Sequence, residues 1–508
     1  MNMQHEHFYQ AMVSHDNRFD GHFYIGVSST GVYCRPICRV RTPKRENCTF
    51  YPTAAQAETA GFRPCLKCRP ELSPQIQDNT LQQNLLISSI IQLEDQGDID
   101  FSISALAKHL NITQRHLHRL ALEQLGTTPS HFMLTRRLLR AKKLLTETPL
   151  SVTTIALISG FGSLRSFNTH FKDRYKLTPS SLRKSPSTQK SSAQSPPETT
   201  VQLLLQYRPP YDWSQLITFL QQRTIQGVEH VEEQSYIRTV GLSVKGEIYS
   251  GWLQIQPHKN KDNTLIVELS ESLAAIIPLL LRKLEHQFDL HAEPSLISNQ
   301  LGSLAINNPG IRLPGSFDGF EMSVRAILGQ QITVKAAHTL AGRFAHAFGK
   351  SIITPFENLA IQFPSAKVVA ELSIDQVASL GIISKRAQTI ISLAKGITKG
   401  EISLQPTAHP EQSIAALEKL AGIGPWTAHY IAMRALHWPD AFPHTDLGVM
   451  KALQEKRPKQ TLFLAEKWRP WRAYAVMHLW NSLQQDKLGN TKIRSMRVTK
   501  TINEVQKT

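Results

Sequence analysis

All five cysteines of this 508-residue chain lie between Gly31 and Glu71, in GVYCRPICRVRTPKRENCTFYPTAAQAETAGFRPCLKCRPE. Cys34 and Cys38 are spaced C-x3-C, Cys65 and Cys68 are spaced C-x2-C, and Cys48 stands alone. Two turns that each offer two thiolates can surround one tetrahedral zinc ion, with Zn–S near ~2.3 Å. A disulfide framework is the alternative. It fits less well, because the cysteine count is odd and the N-terminus, MNMQHEHFYQ, has no apolar signal region.

Arg35, Arg39, Arg41, Lys44, Arg45, Arg63, Lys67 and Arg69 interleave with the cysteines. Cationic neighbours lower thiol pKa and draw phosphates close. Four thiolates on one zinc carry a formal charge of −2, which leaves the sulfurs nucleophilic. This chemistry permits a thiolate that attacks an electrophile on a DNA backbone but does not require one, and purely structural four-cysteine zinc sites are far commoner.

The string STGVYCRPICRVRTPKRENCTFYPTAAQAETAGFRPCLKC resembles the amino-terminal domain of the Ada family of methylphosphotriester repair proteins, with Ser29 where the family pattern has Thr. The resemblance covers about the first seventy-five residues. It implies one zinc ion held by Cys34, Cys38, Cys65 and Cys68, and Cys34 as the irreversible acceptor of a methyl group from a DNA phosphotriester. Thr30, Arg39, Arg41 and Arg63 match family positions that contact DNA phosphates. Cys48 lies outside the family ligands and is expected as a small buried core residue, with a free reactive thiol as the alternative.

The length suggests three or four domains, and the net charge of +17 points to nucleic acid or an anionic surface. The densest apolar run, Leu273 to Leu281, contains Pro278 and falls well short of a ~20-residue membrane span. A bacterial cytoplasmic, nucleoid-associated protein with no membrane partner is expected.

From Phe101 to Lys184, fourteen lysines and arginines face three acidic residues, a DNA footprint. Helical spacing in Ser104–Leu110 breaks at Asn111 and restarts after Thr113, a plausible N-cap. A second copy follows: a helix over 151–158, a turn at Gly160-Phe161-Gly162, and a helix capped by Ser163 that runs to about Tyr175. Two helix-turn-helix units are predicted. The segments RRLLRAKKLL, IALISGF and FNTHFKDRYKLTP resemble the AraC family of activators. That resemblance implies Arg115, His116, Arg119, Ser163, Arg165 and Ser166 as recognition-helix residues, and RNA polymerase as a partner at a promoter. Leu120 and Phe167 are expected in the core.

Residues 185–200, SPSTQKSSAQSPPETT, read as a flexible linker. Beyond it, alternating and β-branched runs predict strands at VQLLLQY, IRTVGLSVKGEIYSGWLQIQP and TLIVELS, with helices over 214–222 and 273–288. From Phe317 to Trp480 the pattern is helical throughout.

Within that last stretch, LAGIGPWTA offers a G-x-G turn between helices, whose backbone N–H groups suit a phosphate. Asp446 follows Trp426 by twenty residues in FPHTDLG, an acid–aromatic pair suited to a flipped base and a carboxylate near its sugar. LAGIGPWTAHYIAMRAL, RLPGSFDGFEMSVRAILGQQIT and WRPWRAYAVMHLW resemble the AlkA branch of helix-hairpin-helix glycosylases, over roughly residues 200–483. The resemblance implies Asp446 as catalytic carboxylate and Trp426, Tyr430 and Trp480 as the base pocket. It places Gly422, Gly424 and Thr427 in a phosphate-gripping hairpin whose carbonyls can hold a monovalent cation. The wedge that fills the gap left by a flipped base falls near Gln331, where AlkA has Leu. Lyase-active members carry a lysine where Trp426 stands, so no Schiff base is expected. Asp440 is expected to be a surface or capping residue.

The predicted architecture is therefore multidomain. It comprises a small α+β zinc domain (1–76), an all-α double helix-turn-helix (80–184), the linker, an α+β module (201–310), an all-α helix-hairpin-helix glycosylase core (311–485), and a disordered tail (486–508). The expected function is methyl-responsive activation of transcription joined to excision of alkylated bases such as 3-methyladenine from double-stranded DNA, with no organic cofactor and no transfer from O6-methylguanine. Two other readings stand beside it. In one the glycosylase region is only a DNA-binding arm of an activator; in the other the helix-turn-helix only adds affinity to a repair enzyme.

Overall fold

The computed structural model describes residues 3–74, 102–183, 200–406 and 408–483, with isolated helical positions at 86, 89, 90 and 93. The expected linker and tail lie outside the described residues, apart from Thr200. Two compact units emerge: Met1–Glu293 with Val334–Pro364, and Pro294–Thr333 with Ser365–Thr508. The chain thus returns to the first unit after entering the second, which a linear reading of the sequence did not anticipate.

In the first unit a four-stranded sheet has the order β3-β1-β2-β4, with β1 Tyr24–Val27, β2 Val32–Cys34, β3 Cys48–Tyr51 and β4 Arg63–Pro64. Cys48 is buried in β3 among Phe23, Ile25 and Phe50, as expected. The helix-turn-helix segments match the sequence reading closely. Thr113 caps Gln114–Leu125 by accepting the His116 N–H, and Ser163 caps Leu164–Tyr175 by accepting the Ser166 N–H. The long helix Pro129–Glu147 connects the two copies. Phe167, Phe171 and Tyr175 form the buried face of the second copy, while Leu120 packs against the core of the first.

A five-stranded antiparallel sheet follows, in the order β5-β9-β8-β7-β6, with β5 Thr200–Gln206, β6 Glu229–Glu232, β7 Ser235–Val244, β8 Glu247–Pro257 and β9 Thr264–Ser270. The predicted helix over 273–288 is divided. A 3-10 turn, Glu271–Ile276, precedes the helix Ile277–Gln287. Pro278 sits in the first turn, where its missing N–H costs nothing, and it cannot continue a helix from the N-terminal side. The expectation of helix throughout 317–480 also fails at one point: β10 Lys350–Ser351 pairs with β11 Ile361–Gln362. Ile352, Ile353 and Thr354 are β-branched and Pro355 follows them, which disfavours helix there.

The second unit is helical. Its core gathers Val324 and Ile327 from Gly319–Leu328, Ile390 and Leu393 from Ser384–Thr398, and Ile431 and Met433 from Pro425–Arg434. Among the described residues no helix is long and apolar enough to cross a membrane.

Candidate functional site

The sheet of the first unit assembles the four cysteines. β2 ends at Cys34 and runs parallel to β4, with Tyr33 opposite Pro64, so Cys65 emerges beside Cys34. The Cys65 N–H donates to the Tyr33 carbonyl at 2.9 Å. A turn closed by Cys38 N–H to Arg35 O at 3.1 Å returns Cys38, and Arg69 in a left-handed conformation (φ 53°) follows Cys68. The four sulfurs lie within 4.8 Å of one another, and Cys34, Cys38 and Cys65 are buried. Four converging soft donors in one buried cluster fit a single zinc ion.

The surrounding basic residues divide into two kinds. Arg39, Arg41 and Thr30 are exposed and Arg63 is half-buried, so all four are accessible to solvent. Arg35 departs from the expectation of a phosphate-attracting side chain. It is 1% exposed and its guanidinium is paired with Asp20. Arg69 is likewise engaged, with Glu71 at 2.9 Å and Glu147 at 2.5 Å. A basic residue next to a ligand loop can be a structural strut, and the sequence alone does not separate struts from phosphate contacts.

Arg115, His116, Arg119 and Arg165 are exposed on the second helices of the two helix-turn-helix units. Arg119 also pairs with Glu123 at 3.0 Å. Ser163 and Ser166 are joined in the cap itself, the Ser166 N–H donating to Ser163 Oγ at 3.1 Å.

In the second unit Asp446 is the N-cap of the helix Leu447–Ala452, its Oδ1 accepting the Val449 N–H at 2.9 Å. Two indoles converge on the same carboxylate. Trp426 Nε1 donates to Oδ2 at 2.8 Å and Trp480 Nε1 donates to Oδ1 at 3.0 Å. Trp426 and Tyr430, one turn apart on Pro425–Arg434, stack at 5.2 Å with planes 8° apart, and Tyr430 lies 6.2 Å from Trp480. Arg434, a further turn on, donates to the Tyr430 hydroxyl at 3.1 Å. Period-four spacing on one helix therefore builds a wall of two rings with an arginine behind it.

The hairpin precedes that helix. Gly422 has φ 94°, and a Cβ there would meet Thr389 Oγ1 at 2.3 Å, so glycine is required for both conformation and space. Gly424 is extended, with nothing within 4 Å of a Cβ position, which leaves its backbone open. Thr427 is buried. Gln330 was missed by the sequence reading. Its Nε2 donates to the Gly422 carbonyl and to Thr427 Oγ1, both at 2.9 Å, and Arg386 donates to its carbonyl. It thereby ties the loop carrying Gln331 to the hairpin. Gln331 itself is exposed at φ 55°. The only signal in the sequence was the Gln-Gln pair.

Asp440 corrects an expectation. It is buried, with Arg472 donating to both carboxylate oxygens at 2.7 and 2.9 Å and Arg469 completing the clamp. Two arginines twenty-nine and thirty-two residues downstream satisfy a carboxylate that would otherwise be costly to bury. Nearby, burial pushes the His429 imidazole down to about 4, with His444 and Arg472 adding repulsion. Its Nδ1 accepts the Phe442 N–H at 3.4 Å.

Comparison with known families agrees with this layout. Residues 7–71 match the metal binding domain of Ada, 106–185 a helix-turn-helix domain, 202–318 the AlkA N-terminal domain, and 324–467 the HhH-GPD superfamily of base excision DNA repair proteins. Over 496 residues the chain is 34% identical to the probable bifunctional transcriptional activator/DNA repair enzyme AlkA of Mycobacterium tuberculosis H37Rv, covering 94% of this chain and 96% of that one. The chain belongs to this AlkA-type activator/repair family. Two separate Escherichia coli K12 proteins resemble parts of it. DNA-3-methyladenine glycosylase 2 is 34% identical over 54% of this chain and 95% of its own length. The bifunctional transcriptional activator/DNA repair enzyme Ada is 34% identical over 34% of this chain and 48% of its own. The AlkA-type chain thus carries the zinc-binding, DNA-binding and glycosylase domains in one polypeptide.

Proposed function

We propose that this protein repairs alkylated DNA in two ways and uses the first as a signal. The convergence of two indole N–H groups on Asp446 carries the excision half of the reading. An alkylated purine is cationic and a good leaving group. As its glycosylic bond breaks, positive charge develops on the sugar, and a fixed carboxylate stabilises that charge. The stacked Trp426 and Tyr430 rings favour a cationic base by about 0.5–2 kcal/mol. The Gly422–Gly424 hairpin grips the DNA backbone and Gln331 fills the vacated stack. A monovalent cation at the hairpin carbonyls would strengthen that grip. Trp426 offers no amine, so the reaction is hydrolysis without a Schiff base.

In the sensor half, zinc would keep the four sulfurs deprotonated. Cys34 Sγ attacks the methyl carbon of a DNA methylphosphotriester; an S–C bond forms, the C–O bond breaks, and the phosphodiester leaves as an anion. Arg39, Arg41, Arg63 and Thr30 hold the phosphates. The methylated protein then binds its promoter through the two helix-turn-helix units and recruits RNA polymerase. No cysteine follows Cys68, so the chain has no later thiolate to accept methyl from O6-methylguanine. Release of 3-methyladenine from methylated DNA by the purified protein tests the excision half. The absence of release refutes it, and borohydride trapping of a covalent protein–DNA adduct refutes the assignment of Trp426 to hydrolysis without a Schiff base.

A further inference from the structure

Arg35 and Arg69 each directly follow a ligand cysteine, and both reach away from the cluster toward the same strand. Arg35 Nη1 donates to the Cys68 carbonyl at 3.0 Å and to Gln206 Oε1 at 2.7 Å. Its backbone N–H donates to Cys68 Sγ at 3.4 Å, so the residue is tied to a ligand sulfur at one end and to β5 at the other. Arg69 Nη2 donates to Glu147 Oε1 at 2.5 Å, and Glu147 Oε2 accepts the Leu204 N–H at 3.0 Å. One path is direct and the other passes through Glu147. They end two residues apart on β5.

β5 is an edge strand of the five-stranded sheet, and its Leu204 backbone faces away from β9. Lys143 Nζ donates to the Leu204 carbonyl at 2.6 Å, so both outward groups of Leu204 are taken by the helix Pro129–Glu147. An edge strand left bare is a liability, and here it is covered by residues of the DNA-binding and metal-binding regions. Arg208, just beyond β5, donates to the Asp20 and Pro74 carbonyls at 2.9 and 3.0 Å and closes the seam.

We infer that the β5 edge is the docking surface for the metal-binding region, and that the loading state of the four-cysteine centre is transmitted to the α+β module through Arg35 and Arg69. A bound zinc fixes the two ligand loops, and the loops fix the backbones from which both arginines extend. Hydrogen bonds from a guanidinium are directional and weaken steeply with misalignment. A small shift of either loop therefore releases β5. The sensor and the glycosylase's first module are mechanically joined, not merely tethered through residues 185–200.

The test is amide hydrogen exchange on the full-length protein, with zinc bound and after its removal by a chelator, without DNA. Leu204 is the reporter; Leu253, in the central strand β8, is the internal control. Removal of zinc should speed Leu204 exchange by about ten-fold or more and leave Leu253 within about two-fold. In the Glu147→Gln/Gln206→Leu double variant the new amide oxygen still accepts the Leu204 N–H, but the links to Arg69 and Arg35 are gone. There the zinc-dependent change should shrink below about three-fold. The inference is overturned if the wild-type chain binds no zinc or if Leu204 exchange ignores zinc removal. An equal change in the double variant overturns it too, because general unfolding of the metal-binding region, not the two arginines, would then expose the strand. Since no damaged base is involved, the outcome is independent of the excision reading.

Discussion

Trp480 donates its indole N–H to Asp446 Oδ1 at 3.0 Å, and the opposite carboxylate oxygen is held by Trp426. The tryptophans therefore aim the carboxylate as well as line a pocket. Trp480→Phe keeps an aromatic wall and deletes the donor. A hydrogen bond to a charged acceptor is worth about 1.5–3 kcal/mol, so kcat for base release should fall about ten- to a hundred-fold, with DNA affinity nearly unchanged. Single-turnover excision and a binding titration check this. A matching loss of affinity would instead indicate collapse of the pocket.

Glu58 lies buried between β2 and two helix-turn-helix helices, accepting from Tyr33 at 3.0 Å, Thr135 at 2.8 Å and Tyr175 at 3.4 Å. Burial pushes its carboxyl from 4.5 up to about 7, against the opposing pull of Arg174. The folded state keeps the proton between those values while the unfolded state loses it. This group's contribution to stability is therefore present below pH 4.5 and lost as pH rises to about 7. Glu58→Gln should gain on the wild type across that window, by up to about 3 kcal/mol above it. Urea unfolding of both proteins at several pH values measures the difference. A constant difference would remove Glu58 as its source.

His429 and His478 have the opposite sign. Burial pushes both imidazoles from 6.5 down to about 4. The unfolded chain binds their protons first on acidification, so the stability of the second unit should fall as pH drops from 6.5 toward 4. Protonation of His429 also removes the acceptor for Phe442 N–H, at the start of the loop that carries Asp446. The protection of the amides of Phe442 and of residues 444–446, each referred to its intrinsic exchange rate at the same pH, should fall as pH drops toward 4. PH-independent opening of this loop would contradict the assignment.

The proposed methyl switch is electrostatic. Methylation of Cys34 takes the zinc–thiolate centre from −2 to −1 and leaves exposed Arg39 and Arg41 facing phosphate with less opposition. One charge at about 4 Å is worth roughly 1 kcal/mol in water and about 4 kcal/mol at an effective dielectric near 20, so promoter affinity should rise about ten-fold or more at modest salt. The gain should shrink as salt is added. Equal affinities of methylated and unmethylated protein across a salt series would rule this out.

The order of the modules, the cysteine cluster and the placement of Asp446 among aromatics were legible in the sequence because each rests on short-range spacing. Thr113 and Ser163 announce their helices by local capping chemistry. What was not legible depends on distant partners. Asp440 looked like a surface acid because Arg469 and Arg472 come twenty-nine and thirty-two residues later. Arg35 read only as one of the cations among the cysteines, because its partners are Asp20 on one side and Gln206, far along the chain, on the other. Gln330 gave no periodic signal, since a single loop side chain bonding a hairpin leaves no pattern.

The account stands most directly on Asp446. Release of 3-methyladenine from methylated duplex DNA should be measured for the wild type and for Asp446→Asn, together with the affinity of each for an uncleaved duplex. The carboxylate acts on charge that develops only in the transition state, so release should fall by about a hundred-fold or more while affinity stays within about three-fold. Wild-type release by Asp446→Asn would contradict the account.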